Sequence, residues 1–84
     1  MNLYFVMEYK TESGAHIFAT NRNQARWMFC QFYGKDYCKV GAYLEGKTDK
    51  VNEPEVVWDE KHPLYPIVKE MGEYYTDPET GEEL

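Results

Sequence analysis

Residues 20–34, TNRNQARWMFCQFYG, decide the fold. Asn21 is a good N-cap, because its side-chain oxygen can accept from an unpaired backbone N–H of the first turn. Gln24, three residues on, can reach back in the manner of a capping box. Gly34 suits the left-handed position just past a last turn. Between these punctuation marks Ala25, Met28, Phe29 and Phe32 keep the i, i+3, i+4, i+7 spacing of one buried helical stripe, with Tyr33 at its edge. Trp27 falls on the opposite side, among Asn23, Gln24 and Gln31, and Cys30 falls between the two faces. Trp27 is therefore either covered by the C-terminal segment or an anchor for a partner, since Trp is enriched at binding hot spots.

Upstream, residues 3–9 alternate with period two: Leu3, Phe5, Met7 and Tyr9 point one way, Tyr4, Val6 and Glu8 the other. Both sets are rather apolar, so this strand is expected at the centre of a sheet. Ser13-Gly14 marks a turn, and residues 15–20 return as the second strand of a hairpin that runs straight into the helix cap. Downstream, residues 37–45 alternate again, with Cys38, Val40, Ala42 and Leu44 on one face. Gly41 would mark a bulge or a close approach. A polar loop, GKTDKVNEP at residues 46–54, leads to a shorter strand at 55–59, with Val56 and Trp58 on one side and Val57 on the other. Residues 37–59 thus read as a second hairpin. Residues 61–72 read as a short second helix, with Pro63 and Pro66 tolerable in or before its first turn.

The expected fold class is a small α+β domain of order β-β-α-β-β-α: a twisted antiparallel sheet built from two β-hairpins, one main helix packed across a face, and a short second helix. Residues 1–76 form that single domain, and residues 77–84 are an acidic, flexible tail that buries too little to offset its ordering entropy. With 84 residues, only about 60–65% of the unfolded surface can be buried, so the core must be dense. Eight tyrosines fit such a core, with polar tips at the surface.

No apolar run is long enough to cross a bilayer, and the first ten residues lack the pattern of a signal peptide. A cytoplasmic protein with no membrane association is expected. Cys30 and Cys38 do not make a disulfide framework and read as two small buried hydrophobes. Together with His16 and His62 they lack the close ligand pairs of structural zinc, so no metal is expected. His16 reads as a half-exposed sheet residue and His62 as a solvated turn residue. No nucleophile stands at a useful spacing from a base, and no glycine-rich phosphate loop is present. No enzyme activity and no cofactor are expected.

Charge is the most informative compositional feature. The net charge is −6, but residues 1–44 carry five basic against three acidic residues, whereas residues 45–84 carry four lysines against twelve acids. Glu53, Glu55, Asp59 and Glu60 flank Trp58, and Glu70 and Glu73 follow. Such a run is either a solubilising surface or a face complementary to a basic partner. In the second reading spaced carboxylates stand in for phosphates, with Trp27, Trp58 and tyrosines as apolar anchors. The candidate partner-binding residues are Trp27, Glu53, Glu55, Trp58, Asp59, Glu60, Glu70 and Glu73, and the expected partner is a basic nucleic-acid-binding protein. The alternative is direct nucleic-acid binding through Tyr4, Phe18, Tyr43, Arg22, Arg26, Lys35 and Lys39, which the net charge opposes. An accessory homodimer formed through a sheet edge is compatible with the same pattern.

In size, acidity and aromatic content the whole chain loosely resembles the small inhibitor proteins of bacteriophages and mobile elements, anti-CRISPR proteins among them. That group shares no sequence signature. The resemblance implies stoichiometric binding to a host defence or nucleic-acid machine without turnover, and assigns no residue a role.

Overall fold

The structure is a computed structural model that describes residues 1–11 and 14–72. Ser13, Glu73 and the acidic tail at 77–84 lie outside the described residues. The elements are strands β1 (Asn2–Glu8) and β2 (Gly14–Ala19), helix α1 (Arg22–Tyr33), a 3-10 turn at Tyr37–Lys39, strands β3 (Val40–Lys47) and β4 (Glu55–Val57), and helix α2 (Tyr65–Gly72). The chain is a small α+β domain whose four strands form one antiparallel sheet, with a main helix and a second short helix packed on it.

The cap of α1 is built as its sequence demands. Asn21 is extended, with φ −154° and ψ 170°, and its Oδ1 accepts from the Gln24 N–H at 2.8 Å. The Gln24 side chain does reach back, but to the Thr20 N–H at 2.7 Å, one residue before the cap. Gly34 ends the helix at φ 68°, where its N–H returns to the Cys30 carbonyl. A Cβ there would meet no neighbour but would be strained by the positive φ.

The sheet order is β3-β1-β2-β4. The apolar β1 is central as expected, paired with β2 from Asn2↔Ala19 to Met7↔Gly14 and with β3 from Asn2↔Lys47 to Glu8↔Val40. The second hairpin does not form: β3 and β4 lie on opposite edges, and β4 pairs with β2 through Ile17↔Val56. The reason is Val51. It is the one aliphatic residue in the 46–54 loop, and it is buried against Leu3, Phe18, Val57 and Val68. The loop is therefore pulled across the sheet and does not turn back beside β3. The third strand is also shorter than its alternation implied. Tyr37–Lys39 wind into the 3-10 turn because Asp36 accepts from the Cys38 N–H at 3.0 Å. Cys38 is accordingly exposed, against the expectation that both cysteines are buried.

The sheet separates two apolar layers. Tyr4, Val6, Ile17, Val40 and Val56 pack under α1 against Ala25, Phe29 and Cys30. On the other face Leu3, Phe18, Val51 and Val57 meet Val68, with Leu64, Ile67 and Met71 of the α2 region beside them. Pro66 sits in the first turn of α2, where no N–H is required. Gly41 marks a close approach, because the Tyr9 ring lies where its Cβ would be. The irregularity in the ladder lies elsewhere, between Leu3 and Tyr4, where Glu45 is the extra residue on β3.

Candidate interaction site

The helical stripe is rotated from its expected centre. Ala25 and Phe29 are buried, but Phe32 is 53% exposed and Cys30 is covered. On a wheel of about 100° per residue, Arg26 and Phe32 lie roughly 120° apart, on opposite flanks of α1. The 3-10 turn and the start of β3 cover the Arg26–Cys30 flank. The opposite flank overhangs β4, whose three residues end at Val57 and leave no sheet beneath Phe32.

Trp58 stands in that space. Its ring is stacked on Phe32 at 6.4 Å between centroids with an interplanar angle of 7°, an offset arrangement within the favoured range. Phe32 in turn meets Tyr33 edge-on at 4.8 Å, and Tyr33 meets Phe29 at the same distance. A continuous aromatic ladder thus runs from the buried Phe29 outward. Trp58 is 48% exposed and Tyr33 37%, so the outer rungs face solvent. Singly exposed apolar residues mean little, but a contiguous exposed patch is a contact signal.

His62 anchors the far side. It is buried, contrary to its expected place in a solvated turn, and its ring meets Trp58 edge-on at 4.2 Å. Its Nδ1 accepts from the Leu64 N–H at 3.0 Å, which leaves Nε2 to carry the proton toward Glu55 Oε1 at 3.4 Å. The 58–62 turn is closed by Asp59, whose Oδ1 accepts from the Lys61 N–H at 2.7 Å. Carboxylates rim the patch: Asp59 and Glu60 directly after Trp58, and Glu55 beside His62. Burial, and then the charge of Asp59, push the Tyr33 phenol above its ordinary pKa.

Of the residues singled out in the sequence, the fold brings Glu55, Trp58 and Asp59 together around His62 and Tyr33, and Glu60 follows Asp59 in the chain. It separates the others. Trp27 is 58% exposed on the outer face of α1, away from the ladder. Glu53 lies at the opposite end of β4 from Trp58. Glu70 is on α2 and engaged with Lys50 Nζ at 3.0 Å. Glu73 lies outside the described residues. Sequence reasoning missed Phe32, Tyr33 and His62. The available signal was the brevity of the 55–59 apolar run, too short to cover a stripe as wide as Phe29, Phe32 and Tyr33 together.

The residues named for direct nucleic-acid stacking fare differently. Tyr4 and Phe18 are buried in the two core layers and offer no face to a base. Lys35 pairs with Glu8 at 3.6 Å. A hydrogen bond from Thr11, ahead of the Lys35 charge, holds the Glu8 carboxyl below its usual range despite some burial. His16, half-buried on the α2-side face, is paired with Glu45 at 2.8 Å. Among the described residues no three His, Cys, Asp or Glu side chains are grouped to hold a metal, and no helix is long and apolar enough to cross a membrane. No protein-family model, curated protein or solved structure matches the chain.

Proposed function

We propose that the chain is a stoichiometric protein-binding module whose contact surface is the Phe32–Tyr33–Trp58 ladder with its rim of Glu55, Asp59 and Glu60. One observation carries the reading: two large rings, parallel and each about half exposed, stand directly beside consecutive carboxylates. Preorganised aromatics cost little conformational entropy on binding, and a charged rim steers and orients a partner of opposite sign. The partner that fits is a basic protein surface, and a nucleic-acid-binding groove is its natural form, with the carboxylates occupying phosphate positions. Binding there masks the groove, the mode of action implied by the resemblance to mobile-element inhibitors.

The test is displacement. Tagged chain is used to capture basic proteins from nuclease-treated lysate at low and moderate salt, and the captured protein is then assayed for nucleic-acid binding with and without the chain. Capture that weakens with salt, together with loss of nucleic-acid binding, supports masking. Trp58→Ala combined with Asp59→Asn and Glu60→Gln should abolish both. Undiminished capture by that variant, folded by circular dichroism, would sink the reading.

A further inference from the structure

The geometry points to a second, oppositely charged site on the other flank of α1: an edge-strand groove on β3 that takes an extended peptide with an apolar–acidic–apolar core. A cleft of about 360 Å³ lies at this edge, lined by Tyr9, Arg22, Arg26, Gly41, Ala42 and Tyr43. Three features define its occupant.

The first is backbone polarity. The Lys39 carbonyl points inward and accepts from the Tyr9 N–H at 3.0 Å. The Val40 carbonyl points outward and accepts from Arg26 Nε at 3.2 Å. Direction alternates along an antiparallel strand, so Ala42 turns both its N–H and its C=O away from β1, into the cleft. Ala42 is itself 6% exposed, so an added strand pairs there as the arginine and tyrosine side chains that wall the cleft move aside.

The second is charge. Arg26 Nη2 also donates to the Tyr37 carbonyl at 2.9 Å, and its guanidinium lies 4.0 Å over the Tyr37 ring. Among the described residues Arg22 makes no ion pair, and neither arginine has a carboxylate partner. Two guanidiniums therefore stand beside this backbone with no carboxylate against them among the described residues.

The third is the alternation of faces. Ala42 belongs to the layer under α1, on the side of the arginines. Tyr43 pairs with Phe5 and Tyr9 covers Gly41, both on the opposite face, and both tyrosines are at least half exposed. Directly opposed residues of neighbouring strands share a face. An added residue opposite Ala42 thus sends its side chain toward Arg22, where a carboxylate fits. Its two neighbours send theirs toward the Tyr9 and Tyr43 rings, where apolar groups fit. The small Ala42 side chain leaves room on the arginine side, while the Tyr9 ring fills the space over Gly41.

Fluorescence anisotropy with labelled octapeptides tests this on the full chain. A Val-Glu-Val core should bind saturably below millimolar concentration. A Val-Lys-Val core, and the Val-Glu-Val peptide methylated on the glutamate nitrogen, should each bind about tenfold more weakly or worse, the value of one charge-assisted or backbone hydrogen-bond pair. Arg22→Gln should lower affinity for the glutamate peptide about tenfold and leave a Val-Gln-Val peptide unchanged. Equal binding of the glutamate and lysine peptides would overturn the charge assignment. Indifference to N-methylation would overturn strand addition. Absence of saturation, or a self-associated chain that sediments as a dimer and that the peptide does not dissociate, would overturn the site as a whole. The ladder residues are untouched in every arm, so failure here leaves the proposed masking function standing.

Discussion

The two edges of the sheet are built on opposite plans. At β3 the edge is eight residues long, and Arg26 guards it by bonding the Val40 carbonyl. At β4 the edge is three residues long, and it is blunted by brevity. Both are recognised ways of keeping an edge from pairing indiscriminately. Each leaves a different surface above it. The long edge lies under a basic flank of α1 and keeps usable backbone at Ala42. The short edge leaves the other flank unsupported, and Phe32 and Trp58 stack on each other where a longer strand would have been. Trp58 and its neighbouring carboxylates from the acidic half, and Arg22 and Arg26 from the basic half, thus lie by opposite flanks of one helix.

The largest expected effect separates buried from exposed rungs of the same ladder. Phe29→Ala removes a ring that is 2% exposed and should cost about 3–5 kcal/mol by chemical denaturation. Phe32→Ala, one turn away, should cost less than about 1 kcal/mol while weakening partner capture. Equal losses would mean that Phe32 is a core residue and that the β4 flank is not a free surface.

Arg26→Ala comes next. It removes two hydrogen bonds to carbonyls and the contact with the Tyr37 ring. The expected loss is about 1–2 kcal/mol, together with concentration-dependent self-association in sedimentation as the β3 edge is uncovered. A stable, monomeric variant would show that Arg26 does not guard that edge.

Why the sequence foretold one edge better than the other is visible in particular residues. The α1 cap, the central β1 and the β1–β2 hairpin depend on local signals: Asn21, Gly34 and strict alternation. The place of β4 depends on Val51, a single apolar residue inside a polar loop, whose effect appears only once Leu3, Phe18 and Val57 are gathered around it. The same long-range choice hides the site. Trp58, Asp59 and Glu60 are contiguous, so the sequence alone sets them side by side. Their partners Phe32 and Tyr33 come from about 25 residues earlier and are exposed only because β4 is short. Glu70 and Trp27 shared the right chemistry and were placed on other surfaces, which charge and composition cannot distinguish.

The cysteines offer a smaller contrast on the β3 side. Burial pushes the Cys30 thiol up, with the nearby Arg26 charge only partly opposing it, whereas Cys38 is exposed. A thiol-specific reagent at neutral pH should modify Cys38 at least about tenfold faster than Cys30, read by peptide mass spectrometry. Comparable rates would mean that the cover formed by the 3-10 turn opens readily.

The smallest effect probes the acidic rim itself. Tyr33 is raised first by burial and then by Asp59, so its neutral form is favoured in the folded chain. A group raised on folding contributes stability below its unfolded pKa and loses it as pH climbs through the folded value. For Tyr33 that window lies above pH 10, starting from the ordinary value of 10.0. Asp59→Asn should lower the Tyr33 midpoint, followed by its ring-carbon chemical shift, without returning it to the ordinary value, because burial is the larger cause. An unchanged Tyr33 midpoint would place Asp59 away from the ladder. The carboxylate most directly linked to these rings would then be absent from the surface proposed for masking.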